Sequence, residues 1–172
     1  MRIIGPPSAE HPTVRANLSR LGANDLFLND ILPAVWQAAL HYAVDPVGAV
    51  AQSYKETGGG RFTGKVKPQF YNTCGLKIRN LGFDPIASGD QPFAHQIFPS
   101  WEVGAIAHIQ HLRAYANCPV GGTVVDPRYW LVVGKHRCVH FADLGTRWAP
   151  SAAYGTEIEA TAARLSDSGT ET

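Results

Sequence analysis

A mainly α (α+β) domain, with a helical lobe and a small irregular β/loop lobe flanking a cleft, is the fold this sequence predicts. Three observations carry that expectation. Apolar residues recur at i, i+3, i+4 and i+7 in several separate segments. Capping residues stand just ahead of those segments. Between Gly58 and Ile97, glycines, prolines and polar residues alternate with single aromatic and aliphatic residues, which suits loops and short strand pairings. The 172 residues suit one domain with a sizeable core, from about 12 to 165, and a flexible tail over 166–172.

In chain order, Thr13 is the candidate cap of a short helix carrying Val14, Leu18 and Leu21. Asn29 or Asp30 caps a longer one, with Pro33 in its first turn and a core stripe of Ile31, Leu32, Val35, Ala38, Ala39 and Tyr42. Asp45-Pro46 opens a third helix with a cap and a favoured first residue. On it Val47, Val50, Ala51 and Tyr54 face inward. Ala49, Gln52, Ser53 and Glu56 share another face and make a candidate cleft floor. Ser100 caps a helix from Trp101 to about Ala116, with Val103, Ile106, Ala107, Gln110 and Ala114 on one side. Thr156 and Glu159 have capping-box spacing for a last helix with Ile158, Ala162 and Leu165.

Composition narrows the partners. The formal net charge is +1 and only 17% of residues are charged. No basic field is present to neutralise phosphates, so nucleic acid is disfavoured. The N-terminus lacks the apolar run of a signal peptide and no run reaches membrane-spanning length. No membrane insertion is therefore expected, and synthesis in the cytosol is the default. Action outside the cell would need lysis, a holin-type route or non-classical export. A monomer is expected. Cys74, Cys118 and Cys138 lack CxxC spacing, so they read as reduced structural thiols, with a Cys118–Cys138 bridge the alternative.

Glu56 carries the chemistry. It ends a predicted helix, and Gly58-Gly59-Gly60 then turns the chain away. A carboxyl partly buried at such a position, near Tyr54, Phe62, Phe70 and Tyr71, can have its pKa raised and stay protonated near neutrality. Glycoside hydrolysis needs such a general acid, together with stabilisation of an oxocarbenium-like centre. The plain alternative is an exposed glutamate making weak surface pairs with Lys55 and Arg61.

The segment from Ala49 to Phe62, Ala-Val-Ala-Gln-Ser-Tyr-Lys-Glu-Thr-Gly-Gly-Gly-Arg-Phe, resembles the catalytic segment of the bacterial and phage glucosaminidase family. This is the flagellar and autolysin type of the lysozyme-like superfamily. Phe70-Tyr71-Asn72-Thr73-Cys74-Gly75-Leu76-Lys77 resembles its N-x-x-G-I/L-K turn. Phe93 to Tyr115 resembles its strand-then-helix segment, and Trp148 to Gly155 its late aromatic-to-tyrosine element. The matches run in order from about Pro46 to Leu165.

The resemblance implies a lysozyme-like single domain that hydrolyses β-1,4 bonds of the peptidoglycan glycan strand, without cofactor or metal. It implies Glu56 as general acid and Tyr154 as the tyrosine beside the scissile bond. Gln52, Asn72, Gly75 and Lys77 are implied around the substrate. Phe70, Tyr71, His95 and Trp148 are further sugar-contact candidates. No second acid lies between Glu56 and Asp84. Assistance by the substrate's own acetamido group is therefore preferred, with Asp90 as the alternative base. The implied bond follows N-acetylglucosamine. Cleavage after N-acetylmuramic acid, and a non-catalytic wall-binding module, are the alternatives.

Other constellations are thinner. His108-x-x-His111 lacks HExxH context and an acidic ligand at recognisable spacing, so both read as helix-surface or cleft-wall residues. Cys74 with His95 suggests a thiol peptidase only if the thiol is activated. Trp36 and Trp101 read as core, and Trp148 as core or cleft.

Overall fold

The computed structural model describes residues 1–79 and 94–169. Asp90, the alternative base, lies outside the described residues, as does Asp84.

The first helix, α1 (His11–Arg20), begins two residues before Thr13. Glu10 is its N-cap and Pro12 falls in the first turn. Asn24 opens the next one, its Oδ1 accepting from the Phe27 N–H at 2.9 Å. A π-helical turn over Phe27–Ile31 then runs straight into α2 (Leu32–His41). Neither Asn29 nor Asp30 is a cap, therefore, and Pro33 marks no boundary. The helix can pass through the proline because the Leu28 carbonyl, which a residue at 33 would reach in π-type bonding, is taken by the Arg15 guanidinium. Arg15 also donates to Asn29 Oδ1 at 2.8 Å.

The third helix, α3 (Pro46–Thr57), follows its local signals. Asp45 Oδ1 accepts from Val47 N–H at 3.0 Å, and the chain leaves through Gly58 in the left-handed region. Helix α4 (Trp101–Tyr115) is capped by Ser100 as expected. The stripe expected on it is only half right. Val103 and Ile106 are partly exposed, while His108, Ile109, Gln110, His111 and Leu112 are all buried, so α4 is enclosed nearly all round. After the short α5 (Tyr129–Val132), α6 (Tyr154–Ser166) starts two residues before Thr156. No capping box forms there. Thr156 donates to the Ala153 carbonyl, and Glu159 accepts from the Ala142 N–H instead.

Helix α3 packs against both α2 and α6, and α4 packs against α2. One apolar core joins these helices from Ile3 to Leu165. It begins earlier than residue 12. Ile3 is fully buried, donating to the Val139 carbonyl and accepting from Asp45 N–H, both at 2.9 Å. The chain after Leu165 is also held at first, because the Asn17 amide donates to the carbonyls of Leu165 and Asp167. Ser166 belongs to α6 rather than to a frayed tail.

The irregular lobe has a small core of its own, formed by Cys74, Leu76, Phe98 and Ala107. Among its described residues the pairing amounts to one antiparallel bridge, Lys77 with His95, flanked by the Ile78–Ala94 and Gln96–Leu76 hydrogen bonds. The protein is thus mainly helical, with almost no strand among the described residues. All three cysteines are free thiols, Cys118 and Cys138 included. No helix among the described residues is long and apolar enough to cross a membrane.

Candidate active site

Glu56 lies in the last turn of α3, and its position follows from the turn after it. Gly58, Gly59 and Gly60 all adopt positive φ (61°, 66° and 89°), a run that side chains with a Cβ resist. Thr57 closes the turn by donating to the Ser53 carbonyl and accepting from Gly60 N–H. The face shared by Ala49, Gln52, Ser53 and Glu56 is not an open floor, since the first three are fully buried. Glu56 alone emerges from it.

The cleft it enters has a volume of about 740 Å³. One wall is Phe62 and the stretch Thr63–Lys67, another is Cys74, Gly75, Lys77 and His95, and a third is Trp148, Ala149 and Pro150. Glu56 Oε2 lies 3.5 Å from where a Cβ on Gly75 would stand, so that oxygen is turned to the Gly75 wall. The carboxylate keeps solvent on its cleft side while protein crowds it elsewhere. That partial desolvation pushes its pKa up, against the opposing Tyr154 hydrogen bond and the charge of Lys55. Neither expected surface partner holds it. Lys55 pairs with Glu157 on α6 at 2.6 Å, and Arg61 donates to the carbonyls of Gly22 and Gly58.

Tyr154 begins α6 and reaches under the cleft, 4% exposed, to donate its hydroxyl to Glu56 Oε1. The Gln52 amide donates to that same hydroxyl oxygen at 2.9 Å. The Gln52 carbonyl oxygen in turn meets His108 Nε2 at 2.9 Å, and His108 Nδ1 meets Thr73 Oγ1 at 3.2 Å. Gln52, His108 and Thr73 are fully buried. Burial, with His111 one turn further along α4, lowers the His108 pKa to about 3. The imidazole is therefore neutral at ordinary pH. Burial and the adjoining carboxylate push Tyr154 well above its ordinary value, so it works as a neutral hydroxyl.

The sequence-level candidates separate into three groups. Glu56, Gly75, Lys77, His95 and Trp148 line the cleft. Gln52 and Asn72 lie behind it. Asn72 shapes the Asn72–Leu76 turn, donating to the carbonyls of Leu76 and Gln96 and accepting from Leu76 N–H. Phe70 and Tyr71 are not among its lining residues. The Tyr71 ring sits edge-on to Trp101, 5.2 Å between centroids, and its carbonyl approaches Gly104 on α4.

His108 and His111 are neither surface nor wall residues. Both are buried, with His111 Nδ1 on Asp126 Oδ2 at 2.7 Å. Trp148 is both core and cleft: it packs edge-on to His111 and lines the cavity. Trp36 and Trp101 are core. Cys74 is buried, and desolvation beside Glu56 raises its pKa well above normal, which argues against a nucleophilic thiol.

Sequence reasoning missed the roles of His108, Thr73, Lys65 and Lys67. A usable signal existed for His108. It stands in the apolar middle of α4 between Ala107 and Ile109, where a polar group must find partners.

No protein-family model matches this chain, and no solved structure matches it significantly. An uncharacterized protein of Borreliella burgdorferi is 31% identical over 113 residues, covering 64% of this chain and 50% of the relative. The chain thus spans about half the length of that relative.

Proposed function

We propose that this chain is a lysozyme-like peptidoglycan hydrolase that cleaves β-1,4 bonds of the wall glycan after N-acetylglucosamine. The observation that carries the reading is Glu56: a carboxyl of raised pKa, steered by a tyrosine hydroxyl and opening into a cleft of about 740 Å³. In this mechanism protonated Glu56 gives its proton to the glycosidic oxygen as the bond to the anomeric carbon breaks. The acetamido oxygen of the same sugar closes onto that carbon, forming an oxazolinium ion. Water then attacks the carbon, reopening the ring and returning a proton to Glu56. The preference for substrate assistance over a protein nucleophile rests on the sequence, where no second acid lies between Glu56 and Asp84. Trp148, Phe62 and Val66 give the cleft an apolar part of its lining, suited to sugar rings. Lys65, Lys67 and Lys77 suit the carboxylates of stem peptides.

Digestion of purified peptidoglycan by wild type and Glu56→Gln, with mass spectrometry of borohydride-reduced fragments, tests the reading. New reducing ends from wild type alone, reduced to glucosaminitol, are expected. Muramitol would move the bond to the other linkage. Wall binding without any release by either protein would make the chain a binding module and end the hydrolase reading.

A further inference from the structure

The buried chain behind Glu56 has a direction, and the direction has a chemical consequence. Tyr154 carries one hydroxyl proton, and it points at Glu56 Oε1. Its oxygen accepts from the Gln52 amide nitrogen, which leaves the Gln52 carbonyl oxygen facing His108 Nε2. A carbonyl can only accept, so His108 Nε2 must carry the imidazole proton. Nδ1 is then a bare acceptor, filled by the Thr73 hydroxyl. Every donor from Thr73 to Tyr154 therefore points the same way, toward the carboxyl.

The reverse order is also self-consistent on paper. With the proton on His108 Nδ1 and the Gln52 amide flipped, the Gln52 oxygen would take the Tyr154 proton away from Glu56. Glu56, when protonated, would then give its own proton to Tyr154 on the Oε1 side. Only the first direction, with the Gln52 amide nitrogen on Tyr154, keeps Oε1 filled as an acceptor. The acid's proton must then reside on Oε2, the oxygen turned to the Gly75 wall of the cleft.

We propose that His108 is a positioning residue: through Gln52 it holds the Tyr154 hydroxyl on Glu56 Oε1, which places the transferable proton of Glu56 on Oε2, facing the ligand. The importance of that placement for turnover rests on the hydrolase reading. The hydrogen-bond switch itself does not.

The groups facing this chain are few. His108 meets Thr73, Gln52 and the Trp148 ring, with His111 one turn further along α4, itself held by Asp126. Glu56 faces Tyr154, Lys55 and Cys74, with Lys65, Lys67, Lys77 and His95 around the cleft.

The experiment is a carboxyl ¹³C titration of Glu56 in the full chain, alongside ¹⁵N spectra of the histidines. Wild type is expected to show His108 as the Nε2–H tautomer from pH 4 to 8. His108→Leu, which frees the Gln52 amide to flip, should raise the Glu56 pKa by roughly one unit, in the same direction as Tyr154→Phe, because the carboxylate loses a donor. Its kcat on wall glycan should fall about 10-fold or more with little change in KM. His108→Gln retains an N–H for Gln52 and should recover most of both. Thr73→Val, a near-isosteric change that spares the packing, should shift the His108 tautomer balance if His108→Leu proves too unstable to titrate.

An Nδ1–H tautomer in wild type would overturn the proposal. So would a folded His108→Leu protein whose Glu56 titrates as in wild type. If the titration shifts as expected but wild type cleaves no glycan, the positioning stands and the hydrolase reading falls.

Discussion

Glu56 and Tyr154 are linked by one hydrogen bond that pulls against burial. Burial raises the carboxyl pKa and the Tyr154 donor lowers it, with burial the larger effect. In Tyr154→Phe the lowering contribution is gone, so the Glu56 pKa rises further. A general acid loses activity as pH climbs through its pKa, so the basic limb of the pH–rate profile should move to higher pH. At its optimum kcat should still fall about 10²-fold, the scale for a positioned proton-transfer group. A profile with an unmoved basic limb would remove Tyr154 from contact with the acid in solution.

Stability should show the same conflict. A carboxyl whose folded pKa lies above its unfolded value destabilises the fold increasingly from the unfolded pKa up to the folded one. That cost is absent below both values. Glu56→Gln should therefore have a higher Tm than wild type at pH 8. The difference should shrink as pH falls and close only below about pH 4, as the glutamate becomes neutral in both the folded and the unfolded chain. Equal Tm values at pH 8 would mean the carboxylate is solvated without penalty.

At the scale of elements, Tyr154 is placed by how closely α6 begins against the Phe141–Leu144 turn. A Cβ built on Gly155 would stand 2.2 Å from the Phe141 carbonyl oxygen and 2.5 Å from that of Ala142. Those are backbone atoms and cannot swing aside. Gly155→Ala should cost about 1–3 kcal/mol in urea unfolding, the usual range for overpacking, and should lower kcat by displacing the neighbouring tyrosine. Gly121→Ala, which meets nothing within 4 Å, is the control that should change neither. A Gly155→Ala protein of unchanged stability would show that the turn yields.

The same scale explains what could be read from sequence. Caps at Asp45 and Ser100 were legible because each is a local contract between a side chain and an amide two or three residues on. The starts of α2 and α6 were not. Arg15 reaching across to Leu28, and Ala142 taking the Glu159 side chain, are tertiary contacts that override a local pattern. Glu56 and Tyr154 were singled out through motif and spacing, and the fold brings their side chains together. The line from Thr73 to Gln52 was not, because it joins three separate elements that no local period connects.

At the scale of the whole molecule, a net charge of +1 conceals an uneven distribution. Three of the five lysines, Lys65, Lys67 and Lys77, line the cleft, against Glu56 as the one carboxylate among its described lining residues. Lys67 is partly tied, donating at 2.8 Å to the carbonyl of Gly64, a residue that also lines the cavity. Such a field attracts an anionic ligand over a distance of about 8 Å at physiological ionic strength. A neutral chitin-like strand would gain nothing from it, whereas a glycan bearing stem-peptide carboxylates would. Raising NaCl from 50 to 500 mM should therefore weaken wall binding by wild type several-fold, roughly as the screening length shrinks. The Lys65→Glu/Lys67→Glu protein should bind weakly at low salt and respond little, or inversely, to the same increase. On the proposed hydrolase reading its KM should rise more than its kcat falls, because there the lysines hold the strand and Glu56 cleaves it. Binding isotherms on walls with and without stem peptides separate the two contributions. If wild type binds both walls equally at every salt concentration, the cleft selects sugar faces through Trp148 and Phe62, and the lysines serve the fold's solubility alone.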